Sequence, residues 1–493
     1  MNNKIRKKEL YDEQARLGFP WKKRNWVYHR NLYSLIGTLV PPDRSVLEIG
    51  CGNGDLLHHL NPRRAVGIDI SPLSIERAKE LYPDYEFQVM DAEDLQFSEK
   101  FDVIILSDLV GELSDVWRVL DELHKVTAPH SRIIITYFNY LWAPFLKIAE
   151  KLGFKMPQDY QNWLSLTDLT NFLALTDFEV IRKGWRFLIP MRIPGLSWFI
   201  NRYLAFLPGL RKLCLSQYLV ARTMPRKQKS DSDKYSCSVL IPTRNEKGNV
   251  QDAVERVPQM GSHTEIIFVD GASTDGTVAE IEKMIEEWQS KKDIKLIHQI
   301  PPDQIPSSVK KSGRMLTLGK GDAVRKGFDA AQGDILMILD ADLTVPPEEL
   351  PKFFKLATER AGELIIGTRL VYPMEKQAMR FLNVFGNKFF SYLFTWLLDQ
   401  PIKDTLCGTK VLRKSDYELI KKGRSYFGDF DPFGDFDLIF GAAKLNLKII
   451  ELPIRYRQRL YGDIKIERFK HGLILLRMCA IAFNKFKLMD NTP

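Results

Sequence analysis

Gly333-Asp334-Ile335-Leu336-Met337-Ile338-Leu339-Asp340-Ala341-Asp342 reads as the buried central strand of an α/β sheet. Its apolar residues run without interruption, Gly333 precedes them and Pro346-Pro347 follow, the pattern of a strand covered on both faces. The strand ends in two carboxylates one residue apart. Open α/β sheets place ligands beyond the carboxyl ends of their strands, so Asp340 and Asp342 set hard oxygen donors beside a bound substrate. Such donors suit Mg²⁺ or Mn²⁺ held against a diphosphate. An Asp-x-Asp pair can equally be a solvated strand end, and its surroundings have to decide.

Those surroundings repeat one theme. Residues 238–241 form an apolar strand that breaks at Pro242 into Thr243-Arg244-Asn245-Glu246. Residues 265–270 form another, ending in Asp270 before the turn Gly271-Ala272-Ser273-Thr274-Asp275-Gly276-Thr277. A third strand covers 294–299, and Gly319-Lys320-Gly321-Asp322 leads into a helix ending near Ala331. This order of strands and motifs resembles family 2 glycosyltransferases of the GT-A fold, most closely the dolichyl- or polyprenyl-phosphate sugar synthases, over about residues 236–460. The resemblance implies that Pro242, Arg244, Glu246 and Asp270 hold the nucleoside and that Lys320 lies near the donor. It implies that Asp340, Ala341 and Asp342 line the metal–diphosphate site. Asp404, in Asp404-Thr405-Leu406-Cys407-Gly408-Thr409-Lys410, and Asp435, before a helix, are the expected catalytic bases. Among the basic residues Arg369, Arg380, Lys388, Arg455, Arg457 and Arg459, Arg369 and Arg455 are the expected ligands of an acceptor phosphate. Two departures stand out: many relatives have Asp-Asp where this chain has Asp270-Gly271, and many phospholipid synthases have Gln in place of Thr344.

The first half of the chain tells a second story. Val46-Leu47-Glu48-Ile49 runs into Gly50-Cys51-Gly52-Asn53-Gly54 and a short helix. Glycines let a backbone approach a ligand, and a helix N-terminus adds its positive dipole end. The strand at 65–69 ends in Asp69, placed to accept both hydroxyls of a ribose. Further strands at 87–91, 101–106 and 132–137 alternate with helices, which predicts a doubly wound parallel sheet. The glycine spacing is Glu-x-Gly-x-Gly-x-Gly, which fails the dinucleotide pattern Gly-x-Gly-x-x-Gly. It resembles class I S-adenosylmethionine-dependent methyltransferases, strongly over residues 40–140 and more weakly to a closing strand at 217–222. The resemblance implies that Glu48, Gly50, Gly52 and Gly54 face the methionine and ribose of the cofactor, that Asp69 binds the ribose, and that Ile70, Asp91 and Ala92 meet the adenine. His124 and His130 read as structural. The aromatic segments 137–163 and 190–208 read as an acceptor lid, a packing surface or a membrane-facing patch.

The 493 residues, 45% hydrophobic and 27% charged, describe a globular chain of two or three domains. Its net charge of +9 suits anionic partners, but no nucleic-acid-reading motif accompanies it, so nucleic acid is not an expected partner. Five scattered cysteines argue for a reducing compartment. No secretory signal and no run of roughly 18 apolar residues is apparent. Basic–apolar stripes at 379–398 and 469–488 read as interfacial helices or core.

The expected architecture is thus α/β with two doubly wound domains: a Rossmann-like methyltransferase at 1–224, a polar linker at 225–235, and a GT-A nucleotide-sugar-binding domain at 236–493. The expected protein is a cytoplasmic enzyme, peripheral at the inner face of a membrane, using S-adenosylmethionine and Mg²⁺ or Mn²⁺. It would transfer sugar from a nucleotide-sugar to a polyprenyl phosphate or glycan and a methyl group to an unread acceptor. The alternative is a glycosyltransferase whose methyltransferase-like domain only senses cofactor or scaffolds.

Overall fold

The structure is a computed structural model that describes residues 12, 13, 16, 21–156, 162, 164–190, 193–224, 232–301, 319–369, 381–424, 436–457, 459, 461 and 468–488. The chain divides into two compact units, residues 1–224 with 484–493, and residues 225–483. The end of the last helix is therefore grouped with the first unit, whereas the sequence reading kept 236–493 together. Each unit is built on a seven-stranded mixed sheet.

In the first unit the strands are β1 (Ser45–Ile49), β2 (Arg64–Asp69), β3 (Glu86–Val89), β4 (Phe101–Ser107), β5 (Thr127–Phe138), β6 (Phe178–Arg186) and β7 (Ser216–Thr223). Their spatial order is β3-β2-β1-β4-β5-β7-β6. Alternate residues point to opposite faces of a strand, and here both faces are covered. Val46, Val103, Ile105 and Ile134 pack under the helix Trp26–Leu39. Leu47, Ile49, Ile104, Leu106, Ile133 and Ile135 pack on the other side with Val119, Leu120, Leu169 and Leu173. That two-sided burial is why these strands read as continuous apolar runs. The all-parallel expectation needs one correction: β7 runs antiparallel to both β5 and β6. Its pairing puts Ser216 opposite Phe138, so the start of β7 returns to the edge where β1, β4 and β5 end.

The second unit contains β8 (Ser236–Thr243), β9 (His263–Asp270), β10 (Asp293–His298), β11 (Ile335–Ile338), β12 (Leu364–Thr368), β13 (Lys410–Arg413) and β14 (Ile449–Pro453). Their order is β10-β9-β8-β11-β13-β12-β14, and β13 alone is reversed. Thr243 pairs with Asp270, Asp270 with His298, and Ile338 with Leu240. Reversal brings the start of β13 to the edge where its neighbours end. Every acid singled out from the strand ends of this half therefore lies along one side of one sheet.

The helix Phe381–Leu398 is packed through Phe394, which stacks on Phe440 at 5.5 Å, and Trp396 stacks on Phe483 of the helix Arg468–Phe486 at 5.5 Å. These contacts favour the core reading for part of both helices. Among the described residues no helix is long and apolar enough to cross a membrane.

Candidate active sites

Along the carboxyl edge of the second sheet, Asp340 accepts a hydrogen bond from Lys320 Nζ at 2.6 Å. Burial alone would raise its pKa, but the cations of Lys320, Lys410 and Arg369 together hold it below the usual carboxylate range. Lys410 is itself fully buried and donates to the Cys407 carbonyl at 2.6 Å. Behind the carboxylate lies Gly408, where a Cβ would fall 2.0 Å from Asp340 Oδ2. Asp342 accepts from Arg459 Nη2 at 2.5 Å on one oxygen. Its other oxygen accepts from the Thr344 amide and hydroxyl, at 3.2 and 2.9 Å. Thr344, the residue that departs from the phospholipid synthases, thus fixes the rotamer of the second acid. Ala341 between them is buried.

The neighbouring strand ends build a separate, polar corner. Asp270 is buried and takes the amides of Ala272 and Ser273 at 3.0 and 3.2 Å. Asn245, at φ +49°, receives the Thr274 amide on its side-chain oxygen and gives its own amide to Ser273 Oγ. Glu246 is buried and accepts from Asn249 at 2.8 Å, and Arg459 Nη1 approaches it at 4.0 Å. Pro242 and Arg244 are half-buried beside it. At Gly271 a Cβ would lie 2.8 Å from Gln299 Oε1, so the second acid found in relatives has no room here unless Gln299 moves.

In the first unit the turn after β1 is a chain of left-handed glycines, Gly50, Gly52 and Gly54 at φ +74°, +52° and +79°. These are conformations that favour glycine. A Cβ at Gly52 would meet nothing within 4 Å, whereas one at Gly54 would stand 2.5 Å from Phe87 Cζ, so the turn is open only at its middle glycine. Asp69 accepts from the Gly52 and Ser71 amides, both at 2.9 Å, which ties the end of β2 to the turn. Burial raises its pKa. Glu48 is buried with Oε2 unpartnered, and burial pushes its carboxyl well above the usual range. Asp91 receives the Glu93 amide at 3.1 Å, and Ile70, Asp91 and Ala92 are half-buried.

A protein-family model described as a methyltransferase domain matches residues 42–170, and one described as glycosyl transferase family 2 matches residues 238–300 and 315–420. The chain joins a methyltransferase domain to a family 2 glycosyltransferase domain. Dolichol-phosphate mannosyltransferase of Pyrococcus furiosus is 28% identical over 237 residues, 47% of this chain and 59% of that protein. Undecaprenyl-phosphate 4-deoxy-4-formamido-L-arabinose transferase of Proteus mirabilis is 28% identical over 239 residues, 47% of this chain and 63% of that protein. The chain thus spans less than two thirds of the length of either relative. A solved S-adenosylmethionine-dependent methyltransferase from Thermotoga maritima is 15% identical with a TM-score of 0.35, covering 44% of this chain and 98% of its own.

Within the glycosyltransferase domain two of the residues singled out from sequence, Asp404 and Arg369, pair with each other. Asp404 is fully buried and accepts five hydrogen bonds. Arg369 Nε and Nη2 donate at 2.7 and 2.8 Å, the Arg369 amide at 3.0 Å, Asn387 Nδ2 at 2.9 Å and the Leu406 amide at 3.2 Å. A carboxylate offers about four lone-pair sites, so nothing is left to take a proton from a substrate. Although burial opposes it, Arg369 keeps the Asp404 pKa below the ordinary aspartate range. Asp404 is thus held as an ion-paired, hydrogen-bonded acid in this structure. Arg369 is correspondingly spent on Asp404, with its guanidinium 5.1 Å from the Tyr456 ring centre, and is no free phosphate ligand. Arg455 is exposed just past β14. Asp435 and Arg380 lie outside the described residues. His124 Nε2 donates to the Thr176 carbonyl at 2.8 Å and the ring stacks on Phe178, which fits its structural reading.

The methyltransferase domain holds a cluster that sequence reasoning missed. Asp108 follows β4 at φ +54°. Tyr28 donates to its Oδ2 at 2.7 Å, Thr136 to its Oδ1 at 3.2 Å, and Ser216 Oγ lies 3.3 Å from Tyr28 Oη. Burial pushes its carboxyl up to about 6, against the downward pull of those hydroxyls. The adjoining Leu109 side chain closes on the glycine turn, 2.8 Å from where a Cβ of Gly50 would stand. The available signal was an acid closing a buried apolar strand, the kind of signal that flagged Asp69 and Asp340.

Proposed function

We propose that the chain is a bifunctional transferase that inverts a sugar from a nucleotide donor onto a polyprenyl phosphate and transfers a methyl group from S-adenosylmethionine. The observation that carries the sugar half is the convergence of Asp270, Asp340, Asp342, Lys320 and Arg459 on one sheet edge. Asp270, Glu246, Pro242 and Arg244 would seat the nucleoside. Two carboxylates fit Mg²⁺ or Mn²⁺, which takes one or two protein carboxylates and fills its sphere with phosphate and water. When bound, the ion supplies charge neutralisation for a departing diphosphate. Lys320 and Arg459, now on the acids, are in reach of the same phosphates and would stabilise the leaving group electrostatically. A lipid phosphate oxygen is already ionised and needs no base, whereas a sugar hydroxyl does. The sealing of Asp404 takes away one of the two base candidates, and the names of both relatives point the same way, to polyprenyl phosphate over a glycan. Arg455 remains the acceptor-phosphate ligand, and Asp435 remains a base candidate. The domain limits are those read from sequence, 1–224 and 236–493 about the linker 225–235.

In the methyltransferase domain the glycine turn, Asp69, Ile70, Asp91 and Ala92 would hold the cofactor. Glu48, buried with Oε2 unpartnered, would complete the set. Asp69→Ala removes charged acceptors for two ribose hydroxyls. It should weaken S-adenosylmethionine binding by about 10- to 100-fold in isothermal titration. Wild-type protein that binds no cofactor would end the methyl-transfer reading.

Asp108, at the sheet edge that carries the glycine turn, would take a proton from the methyl acceptor. Because its folded pKa is raised to about 6, the basic form fills above that pH, and methyl transfer should fall as pH drops through 6. In Asp108→Asn that acid limb of kcat/KM should vanish along with most of the rate. An unchanged limb in the variant would assign the titration elsewhere.

A further inference from the structure

We propose that two loops of the methyltransferase domain, one following β5 and one joining β6 to β7, form a single face that seats this domain on an anionic lipid bilayer. The helix Ala143–Lys151 and the helix Leu196–Arg202 contain no buried residue at all. A surface helix normally turns an apolar stripe inward. These two instead display theirs, with Phe145 63% and Trp198 53% exposed and Ile148 and Phe199 close behind. Exposed apolar surface on this scale marks an interaction face.

The two loops make one surface. Trp142 Nε1 donates to the Leu213 carbonyl at 2.7 Å, and Asn139 Nδ2 donates to the Lys212 and Cys214 carbonyls at 2.8 and 2.9 Å. The net charge on that surface is positive. The first loop carries Lys147, Lys151 and Lys155 against two acids, Glu150, which is already paired with Lys155, and Asp159. From 193 to 213 the second loop has Arg202, Arg211 and Lys212 and no acid. Basic residues set among Trp, Phe and Leu are the chemistry of a helix lying in the headgroup layer of an anionic membrane. A second copy of this face would bring like charges together, which disfavours a homodimer.

Position gives the face a purpose. Phe138 and Ser216 are paired across β5 and β7, so both loops leave the sheet at the edge that holds the glycine turn and Asp108. A docked domain turns its cofactor edge toward the lipid, and the methyl acceptor would then be a membrane-resident amphiphile. Only this last step rests on the methyl-transfer reading.

The test is co-sedimentation of the full chain with phosphatidylcholine vesicles made with and without phosphatidylglycerol. Wild type should partition onto the anionic vesicles and release at high salt. Trp198→Glu with Phe199→Glu should lower that partitioning by about 10-fold or more, with melting temperature and S-adenosylmethionine binding unchanged. Vesicle binding that survives this pair but is lost in Leu473→Glu with Leu476→Glu would move the contact to the last helix and overturn the proposal. So would a wild-type dimer that Phe145→Glu dissociates. Failure of cofactor binding in wild type, with vesicle binding intact, would remove the methyl acceptor from the picture and leave the docking face standing.

Discussion

Alanine at position 408 should cost sugar transfer about as much as loss of Asp340 itself, roughly 10²–10³-fold in kcat. Gly408 is not at a positive φ, so the backbone there accepts alanine. The obstacle is the neighbour. A Cβ would stand 2.0 Å from Asp340 Oδ2 and 2.6 Å from both Cγ and Oδ1. Aspartate has too short a side chain to yield by bending at its tip, and Lys320 holds the same group at 2.6 Å from Oδ1. The carboxylate must change rotamer, which takes it away from Asp342 and from the space a diphosphate would fill. Gly408→Ala, Asp340→Asn and the double variant should therefore show similar losses, because residues acting through one group are not additive. Initial rates with a soluble polyprenyl phosphate, beside an unchanged affinity for S-adenosylmethionine, would establish this. A Gly408→Ala enzyme with near wild-type turnover would mean that the position of Asp340 does not matter to the reaction.

What the sequence made legible were the groups that sit at the ends of buried strands. Asp69, Asp270 and Asp340 each close an apolar run, and the glycine turn after β1 announces itself by spacing alone. What it hid has a common physical cause. The strand β13 has four residues, too few for a period to register, and it matters because its reversal returns Lys410 and Gly408 to the ligand edge. The strand β6 carries Arg182 and Arg186 on its buried face, with their guanidinium groups 5.8 and 5.3 Å from the Tyr218 ring. Buried cations over an aromatic ring break the hydrophobic pattern by which strands are recognised. The pairing of Asp404 was hidden for a related reason. Its partners Arg369 and Asn387 lie 35 and 17 residues away and meet it only after folding. An acid in a conserved-looking motif thus looks the same in sequence whether it faces a substrate or a buried arginine.

The Arg369–Asp404 pair gives the second large effect, and it separates those two roles. Removing one member of a buried ion pair leaves the other charged and unpaired, at a cost of about 3–5 kcal/mol. For a domain of this size that lowers Tm by roughly 10 °C. Asp404→Asn and Arg369→Ala should both do so in calorimetry of the full chain, in the transition that shifts when nucleotide-sugar is added. Arg369→Lys should rescue little, since an ammonium cannot reproduce the two parallel bonds of the guanidinium. The pH dependence has a definite sign. The folded pKa of Asp404 is depressed, so its contribution is present above the unfolded aspartate value of about 3.9 and is lost as pH falls through the lower folded value. Acid sensitivity in that window should therefore disappear in Asp404→Asn. Were Asp404 instead the base, asparagine would abolish turnover while leaving the melting temperature close to wild type. A stable, inactive Asp404→Asn protein would return Asp404 to the catalytic role, and with it the case for a hydroxyl acceptor.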